Sequence, residues 1–131
     1  MSLYEKYVLP KFLNCACGSR PVERQRKKVV PLAEGKVLEI GIGSGLNIPF
    51  YDKSKIVEVW GLDPSDALCE MAKKVAFKES LEINFISSGA EEIPLPDNHF
   101  DTVLITYTMC TIPEVLRAND EIKRVLKNEG K

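Results

Sequence analysis

Short apolar runs recur along the chain and are separated by segments of mixed polarity. Four of these runs are compact and end near turn-forming residues, and they lie at Lys36–Ile40, Ile56–Leu62, Glu82–Ser87 and Phe100–Tyr107. Such runs are typical of β-strands. The pattern therefore predicts a chain that is crossed at intervals by four buried strands.

The segments between and after these runs have the spacing of helices. The clearest are Asp66–Glu79 and Pro113–Lys127, each with apolar residues on one side, and the second is followed by the helix stop Asn128-Glu129-Gly130. Either two short helical pieces or one kinked helix is predicted at Tyr4–Leu13, around Pro10. A helix is predicted to begin at Gly45–Tyr51, where an internal proline is expected to keep it short or irregular.

Strands that alternate with helices predict an α/β fold with a parallel sheet built by right-handed crossovers. Such sheets bind ligands beyond the carboxyl ends of their strands, where the strand order reverses. We therefore expect the functional residues in the loops that follow the strands.

Composition narrows the class of protein. The chain has 131 residues, of which 44% are hydrophobic and 28% charged, and its formal net charge is −1. These values fit one globular domain and argue against a general nucleic-acid binder, which is normally basic. No apolar run approaches the ~20 residues of a membrane span, and Met1–Lys11 lacks the apolar core of a secretory signal. We therefore expect a cytoplasmic protein.

Cysteine and histidine do not form a metal-binding pattern. The cysteines are Cys15, Cys17, Cys69 and Cys110, and no second pair completes a zinc set with the single histidine, His99. We expect reduced thiols and no metal. His99 falls in a polar turn and is predicted to be exposed, without an acid–base role.

A basic stretch precedes the first strand, at Arg20, Arg24, Arg26, Lys27 and Lys28. It is predicted to be the solvated face of a helix. The alternative is that it belongs to an N-terminal helical cap, residues 1–30, which brings one cation to a carboxylate or a phosphate.

The strongest candidate for a binding site is Glu39-Ile40-Gly41-Ile42-Gly43-Ser44-Gly45, which follows the first strand. Gly41 and Gly43 would let a ligand approach the backbone, and the helix predicted next would offer amide donors to a carboxylate. A tight turn without a ligand is one alternative. A dinucleotide site is another, although its G-x-G-x-x-G spacing needs a glycine where this chain has Leu46.

The second candidate is Asp63, which closes the second strand ~20 residues after the glycine loop. An acidic side chain at that position accepts hydrogen bonds from ribose hydroxyls. The alternative is a turn or N-cap aspartate, but Ser65 and Asp66 are available for the cap. We therefore predict a ribose-binding role for Asp63.

Together these motifs resemble class I S-adenosylmethionine-dependent methyltransferases, in particular the type 11 methyltransferase family. Val37–Gly45 resembles their motif I, and Leu62–Ser65 resembles the acidic loop after strand two. Gly89–Asp101 is similar to the stretch before strand four, and Glu121–Lys131 to the helix and turn before strand five. Residues 26–51 are most similar to the small-molecule methyltransferase-like branch. The resemblance extends over nearly the whole chain.

The resemblance implies a Rossmann-like methyltransferase fold with about four parallel strands in the order 3-2-1-4 and S-adenosyl-L-methionine as cofactor. It also implies roles for single residues. The implied cofactor-binding residues are Glu39 at the methionine amino group, Gly41 and Gly43 along methionine and ribose, Asp63 at the ribose hydroxyls, Pro64, Ala90 and Glu91 around the adenine, and Thr106 beneath the methionine. Further candidates are Tyr7 and Arg24 from the cap, Tyr107 beside Thr106, and Met109 and Cys110 towards a substrate.

Two features depart from the family pattern. Members often place an aspartate before the alanine to accept from the adenine amino group, whereas this chain has Gly89, so that Ser88 or a backbone carbonyl would take over. The chain also ends at Lys131, where the family continues into strands five to seven. We therefore expect residues 1–131 to be a single partial domain, in which Asp101–Tyr107 is an open edge that promotes self-association.

The function predicted from the sequence is methyl transfer to an unidentified, small-molecule acceptor. The transfer would be a direct displacement that depends on proximity and orientation, and no catalytic base is evident. Two alternatives stay open: a cofactor-binding fragment that is inactive alone, and a nicotinamide-dependent oxidoreductase.

Overall fold

The computed structural model describes residues 20–106 and 112–131. Its helices and strands, in chain order, are α1 (Arg20–Val29), β1 (Gly35–Ile40), β2 (Ile56–Leu62), α2 (Asp66–Lys78), β3 (Asn84–Ile86), β4 (Thr102–Ile105) and α3 (Val115–Val125). The four strands form one parallel sheet in the order β3-β2-β1-β4. The predicted α/β architecture and its strand order 3-2-1-4 are confirmed.

The central strand β1 is buried on both faces of the sheet. Leu38 and Ile40 point into a core that also contains Phe100 and the inner side of α3. Val37, which precedes Leu38 in sequence, points to the opposite face and packs with Val59 and other apolar residues. Burial on both sides explains why apolar residues occupy the consecutive positions Val37 and Leu38 rather than alternate ones.

The helices pack on the sheet through one apolar face each. Ser65 caps α2 by accepting a hydrogen bond from the Leu68 amide at 3.3 Å, as expected from the sequence. The buried residues of α2 are Leu68, Cys69, Ala72 and Ala76, and those of α3 are Ala118 and Val125. Within residues 20–106 and 112–131, no helix is long and apolar enough to cross a membrane.

The helix predicted to begin at Gly45–Tyr51 is short and irregular, as its proline indicated, and it is not an α-helix. The segment contains only a short 3₁₀ turn, Ile48–Phe50. Gly45 has a φ of +87°, outside the helical region, and Pro49 lies inside the turn. The glycine loop is therefore not followed by an α-helix whose amides could bind a carboxylate. The predicted helix at Tyr4–Leu13 lies outside the described residues.

The outer edge of β4 is partly covered by the C-terminal residues. The Val103 amide donates to the Lys131 carbonyl at 2.8 Å, and the Lys131 amide donates to the Asp101 carbonyl at 3.0 Å. Phe100 and Leu126 form a parallel bridge next to them. The expectation of an edge that is open along its whole length is therefore wrong for Asp101–Val103. Beyond Val103, no strand among the described residues pairs with this edge.

Candidate functional site

The carboxyl ends of the four strands meet at one edge of the sheet. Ile40 pairs with Leu62 on one side and with Ile105 on the other, and Leu62 pairs with Ile86. The residues that follow these strand ends therefore lie along the same edge. They are Gly41, Asp63, Thr106 and Ser87.

The glycine loop has an unusual backbone that leaves space above it. Gly41, Gly43 and Gly45 have φ values of +67°, +58° and +87°, which side-chain-bearing residues rarely adopt. A Cβ built on Gly43 would have no atom nearer than the Gly41 carbonyl oxygen, at 3.8 Å, so this position faces open space. A Cβ on Gly45 would lie 3.1 Å from the Cα of Ala72 in α2. Gly43 therefore leaves room for a ligand, whereas Gly45 lets the loop pack against α2.

Asp63 joins the glycine loop to the start of α2. One carboxylate oxygen accepts a hydrogen bond from the Gly43 amide at 3.1 Å, and the other accepts from the Ser65 amide at 2.8 Å. The side chain is 7% exposed, and this burial raises the carboxyl pKa although both hydrogen bonds oppose the rise. A carboxylate has about four lone-pair sites, so Asp63 keeps acceptor capacity for a ligand. The adjacent Pro64 is exposed.

Glu39 is a buried carboxylate with both oxygens hydrogen-bonded. The Tyr51 hydroxyl donates to one oxygen at 2.7 Å, and the Asn47 side-chain amide donates to the other at 3.1 Å. Glu39 is 1% exposed. Burial raises its pKa to about 7, because the loss of solvation outweighs the two hydrogen bonds and the positive charge of Arg26. The charge of Asp63 adds to the rise.

Arg26 is the member of the basic stretch that faces the site. Its Nη1 donates to the Asn47 side-chain oxygen and, at 3.2 Å, to the Thr106 hydroxyl oxygen. The side chain is 6% exposed, so the prediction of a solvated basic face is wrong for Arg26. Its positive charge lowers the pKa of the buried Glu39 carboxyl, as the alternative of a cation near a carboxylate expects, while the cap formed by residues 1–30 stays a prediction. Arg24, a predicted site candidate, is exposed.

Asn47 and Tyr51 were not among the residues predicted from the sequence, and Arg26 was named only as one member of the basic stretch. Arg26 had a detectable signal, because Val22, Arg26 and Val30 are spaced by four and lie on one face of α1 and its continuation. Asn47 and Tyr51 had none, since they lie in the segment that was predicted to be helical.

The loop after β3 contributes Ala90, which is buried, and Glu91, which is half-buried. A Cβ built on Gly89 would lie 2.5 Å from Oε2 of Glu91, so the Glu91 carboxylate lies over the Gly89 backbone. The Ser88 hydroxyl is within hydrogen-bonding distance of two carbonyls of its own loop, those of Gly89 and Glu92. Replacement of the family aspartate by Ser88 or a backbone carbonyl stays a prediction, and the Glu91 carboxylate is a further acceptor beside Gly89.

A family profile described as "Methyltransferase domain" (Methyltransf_11) matches residues 38–131. The match begins in β1, continues through the glycine loop and Asp63, and covers more than half of the chain. The chain belongs to this methyltransferase family. Members are S-adenosylmethionine-dependent methyltransferases, and the match identifies no acceptor.

Three relatives illustrate the family. Phosphatidylethanolamine N-methyltransferase of Cereibacter sphaeroides is 35% identical over 98 residues, which cover 73% of this chain and 47% of the relative. The ubiquinone/menaquinone biosynthesis C-methyltransferase UbiE of Campylobacter jejuni is 29% identical over 130 residues, 99% of this chain and 45% of the relative. The crystal structure of YcgJ from Bacillus subtilis matches with a TM-score of 0.72 and 30% identity, over 82% of this chain and 47% of that chain. The chain thus spans about half the length of these methyltransferases.

The remaining sequence candidates lie away from this edge or outside the described residues. His99 precedes β4, at the opposite end of the sheet. It is half-buried, with its ring 4.8 Å from that of Phe100, so the prediction that it is exposed is wrong. Burial raises the pKa of the Cys69 thiol to about 11, which makes it unreactive. The candidates outside the described residues are Tyr7, Tyr107, Met109 and Cys110, together with Cys15 and Cys17.

Proposed function

We propose that this protein binds S-adenosyl-L-methionine at the carboxyl edge of the sheet and transfers its methyl group to a small-molecule acceptor. The observation that carries the proposal is the open glycine loop between two buried carboxylates, Glu39 and Asp63. Asp63 accepts a hydrogen bond from the Gly43 amide within the loop, and Glu39 accepts one from the side chain of Asn47, two residues after the loop. Membership of the methyltransferase family supports the same assignment.

The two carboxylates suit the methionine and the ribose of this cofactor. Glu39 would face the methionine ammonium group, directly or through water. The positive charge of that group would offset the free-energy cost of burying the Glu39 carboxylate. Asp63 would accept from the ribose hydroxyls with the lone pairs that its two backbone hydrogen bonds leave. Gly41 and Gly43 would lie along the methionine and ribose, and Thr106 beneath the methionine.

The adenine end would lie beside Pro64, Ala90 and Glu91. The family aspartate that accepts from the adenine amino group is missing here, because position 89 is glycine. Since the Glu91 carboxylate lies over Gly89, it would supply the missing acceptor. This assignment keeps a carboxylate at the adenine edge and changes only the residue that provides it.

When bound, S-adenosylmethionine would supply an activated methyl group, and its transfer would form a bond to the acceptor and leave the carbon–sulfur electron pair on sulfur. The chain's own contribution is to hold the cofactor in line with the acceptor and to exclude water. No base is required for an acceptor that presents a free lone pair. The catalytic role is therefore one of positioning.

A second candidate function is cofactor binding without transfer. Among the described residues, the site offers hydrogen-bond partners for the cofactor, and none of them is assigned to a methyl acceptor. A nicotinamide-dependent oxidoreductase has less support, because the loop lacks the third dinucleotide glycine and the chain belongs to a methyltransferase family.

Titration calorimetry on the purified protein with S-adenosylmethionine, S-adenosylhomocysteine and NAD⁺ separates these functions. The proposal predicts heat from the first two ligands and none from NAD⁺, and NAD⁺ binding alone would refute it. Transfer of labelled methyl should then be measured on acceptors that include a phospholipid amine and a quinol, the classes that the names of the relatives suggest. Binding without transfer to any acceptor would favour the second candidate.

A further inference from the structure

The Asn47 side chain lies at the centre of a buried polar cluster that connects α1 to Glu39. Its amide nitrogen donates to Glu39 at 3.1 Å and to the Thr106 hydroxyl at 2.8 Å. Its amide oxygen accepts from Arg26. Asn47 is 1% exposed, so solvent does not compete for these contacts. The cluster thus spans α1, the loop after β1 and the end of β4.

The direction of the Asn47 amide is set by Arg26. A guanidinium group has donors only, so the oxygen of the amide must face Arg26 and its two N–H groups must face away. Those two N–H groups are the ones that reach Glu39 and Thr106. If the amide were reversed, its oxygen would face the Glu39 carboxylate and its N–H groups would face the cation, and both contacts would be repulsive.

We propose that Arg26 is a positioning residue of the cofactor site, which acts through Asn47 to hold the Glu39 carboxylate in place for the methionine ammonium group. The inference rests on the proposed function, in which Glu39 meets that group. In this arrangement α1 contributes a residue to the site, because Arg26, the cation that orients the Asn47 amide, lies in this helix.

The charges around Glu39 explain why a positioning cation is needed. Arg26 faces it from α1, Tyr51 and Asn47 from the segment after the glycine loop, and Asp63 from the end of β2. Burial and Asp63 raise the Glu39 pKa, whereas Tyr51, Asn47 and Arg26 lower it. Removing Arg26 takes away one opposing charge and frees the amide to turn, so the pKa of Glu39 should rise further. A protonated Glu39 offers no counter-charge to an ammonium group.

The first test measures the Glu39 pKa in the cofactor-free protein. The pKa is obtained from a ¹³C NMR titration of the Glu39 carboxyl group, and Glu39→Gln assigns the signal. Arg26→Met and Asn47→Ala should each raise this pKa by about one unit. The double variant should show little more than Arg26→Met alone, because the two residues act as a unit. Lys28→Met, an exposed cation on the same helix, is the matched control and should leave the pKa unchanged. An unchanged pKa in Arg26→Met, or additive effects of the two changes, would overturn the inference.

The second test is the affinity for S-adenosylhomocysteine as a function of pH. Relative to the parent, Arg26→Met should bind roughly tenfold more weakly at pH 6.5 and within about twofold at pH 8.5, where Glu39 is ionised in both proteins. Arg26→Lys, which keeps the charge, should recover most of the loss. An equal loss at both pH values would mean that Arg26 contacts the ligand directly, and that result overturns the positioning role.

The two tests also separate this inference from the proposed function. The NMR titration needs no ligand, so it reports on the Arg26–Asn47–Glu39 cluster even if the parent protein fails to bind S-adenosylhomocysteine. Failure of the parent to bind would overturn the proposed function and, with it, the cofactor role of Arg26. If Arg26→Met does not fold, as judged by circular dichroism, Asn47→Ala and Arg26→Lys carry the same comparison.

Discussion

At the scale of single residues, two carboxylates with different surroundings define the site. Glu39 is enclosed and hydrogen-bonded by side chains, whereas Asp63 is held by two backbone amides at the rim of the glycine loop. Burial raises the pKa of both groups. Both would therefore gain from a ligand that brings a cation or hydroxyl donors.

Asp63→Ala should weaken S-adenosylmethionine binding by about 1–3 kcal/mol, because ribose hydroxyls and two backbone amides lose their acceptor. Calorimetry on the folded variant measures this loss. Asp52→Ala is the matched control, since Asp52 also accepts from a backbone amide in a turn, that of Ser54 at 3.1 Å, but at an exposed position. Equal affinity in Asp63→Ala and the parent would refute the ribose assignment.

Glu91→Ala should remove the preference for adenine over a 6-oxo purine. A carboxylate accepts from the adenine amino group, which the 6-oxo analogue lacks, so the parent should prefer S-adenosylhomocysteine to S-inosylhomocysteine by about tenfold. In Glu91→Ala the two affinities should converge. Glu92→Ala, at the exposed neighbouring position, should keep the parent's preference. If Glu91→Ala keeps the preference for S-adenosylhomocysteine over S-inosylhomocysteine, another group recognises the adenine.

The sequence was sufficient to predict residues whose spacing from a strand defines their place. Glu39, Gly43 and Asp63 follow or end β1 and β2, and the structure brings them to one edge. It was not sufficient for Arg26 and Asn47, because their contacts depend on how α1 and an irregular turn pack in three dimensions. No local pattern encodes those contacts completely.

At the scale of elements, Arg124 ties α3 to the loop that precedes β4. Its Nε and Nη2 donate to the Glu121 carboxylate at 2.9 and 3.0 Å. Nη1 and Nη2 also reach the Leu95 and Ile93 carbonyls, at 2.9 and 2.7 Å, and Nη1 reaches Asp97 at 2.6 Å. Glu121 in turn accepts from the Ile93 amide at 2.8 Å. One side chain thus fixes the loop that continues from Ala90 and Glu91.

Arg124→Ala should lower the free energy of unfolding by about 1.5–3 kcal/mol, as expected when hydrogen bonds to charged and buried backbone groups are lost. Urea denaturation measures the change. Arg117→Ala is the matched control on the same helix, because its ion pair with Glu114 has the same spacing but is exposed on both sides. Its effect should stay below about 0.5 kcal/mol. Similar effects of the two substitutions would show that the loop does not depend on Arg124.

The helices and strands differ in how well the sequence predicted them. The central strands and α2 were predicted to within about a residue, because burial on both faces and a capped apolar face are local signals. The segment Gly45–Tyr51 was not, since its positive φ at Gly45 and the inward direction of Asn47 and Tyr51 override its helical appearance. Tertiary contacts decided that segment.

At the scale of the whole molecule, the outer edge of β4 is only partly paired among the described residues. Lys131 covers the edge at Asp101–Val103, and no described strand pairs with it beyond that point. A free strand edge is a template for association. Static light scattering over a range of concentrations should give a mass that rises above 14.7 kDa. A mass of 14.7 kDa at every concentration, with a cooperative thermal transition, would contradict self-association.

The most direct measurement of the central claim is a crystal structure of the protein with S-adenosylhomocysteine. The proposed function predicts the ligand over Gly43, with its ammonium group bound to Glu39 directly or through one water. Its ribose hydroxyls should lie within about 3.2 Å of the Asp63 carboxylate, the distance of a normal hydrogen bond. A ligand bound elsewhere, or crystals that stay empty at millimolar concentration, would contradict the assignment of this edge as the cofactor site.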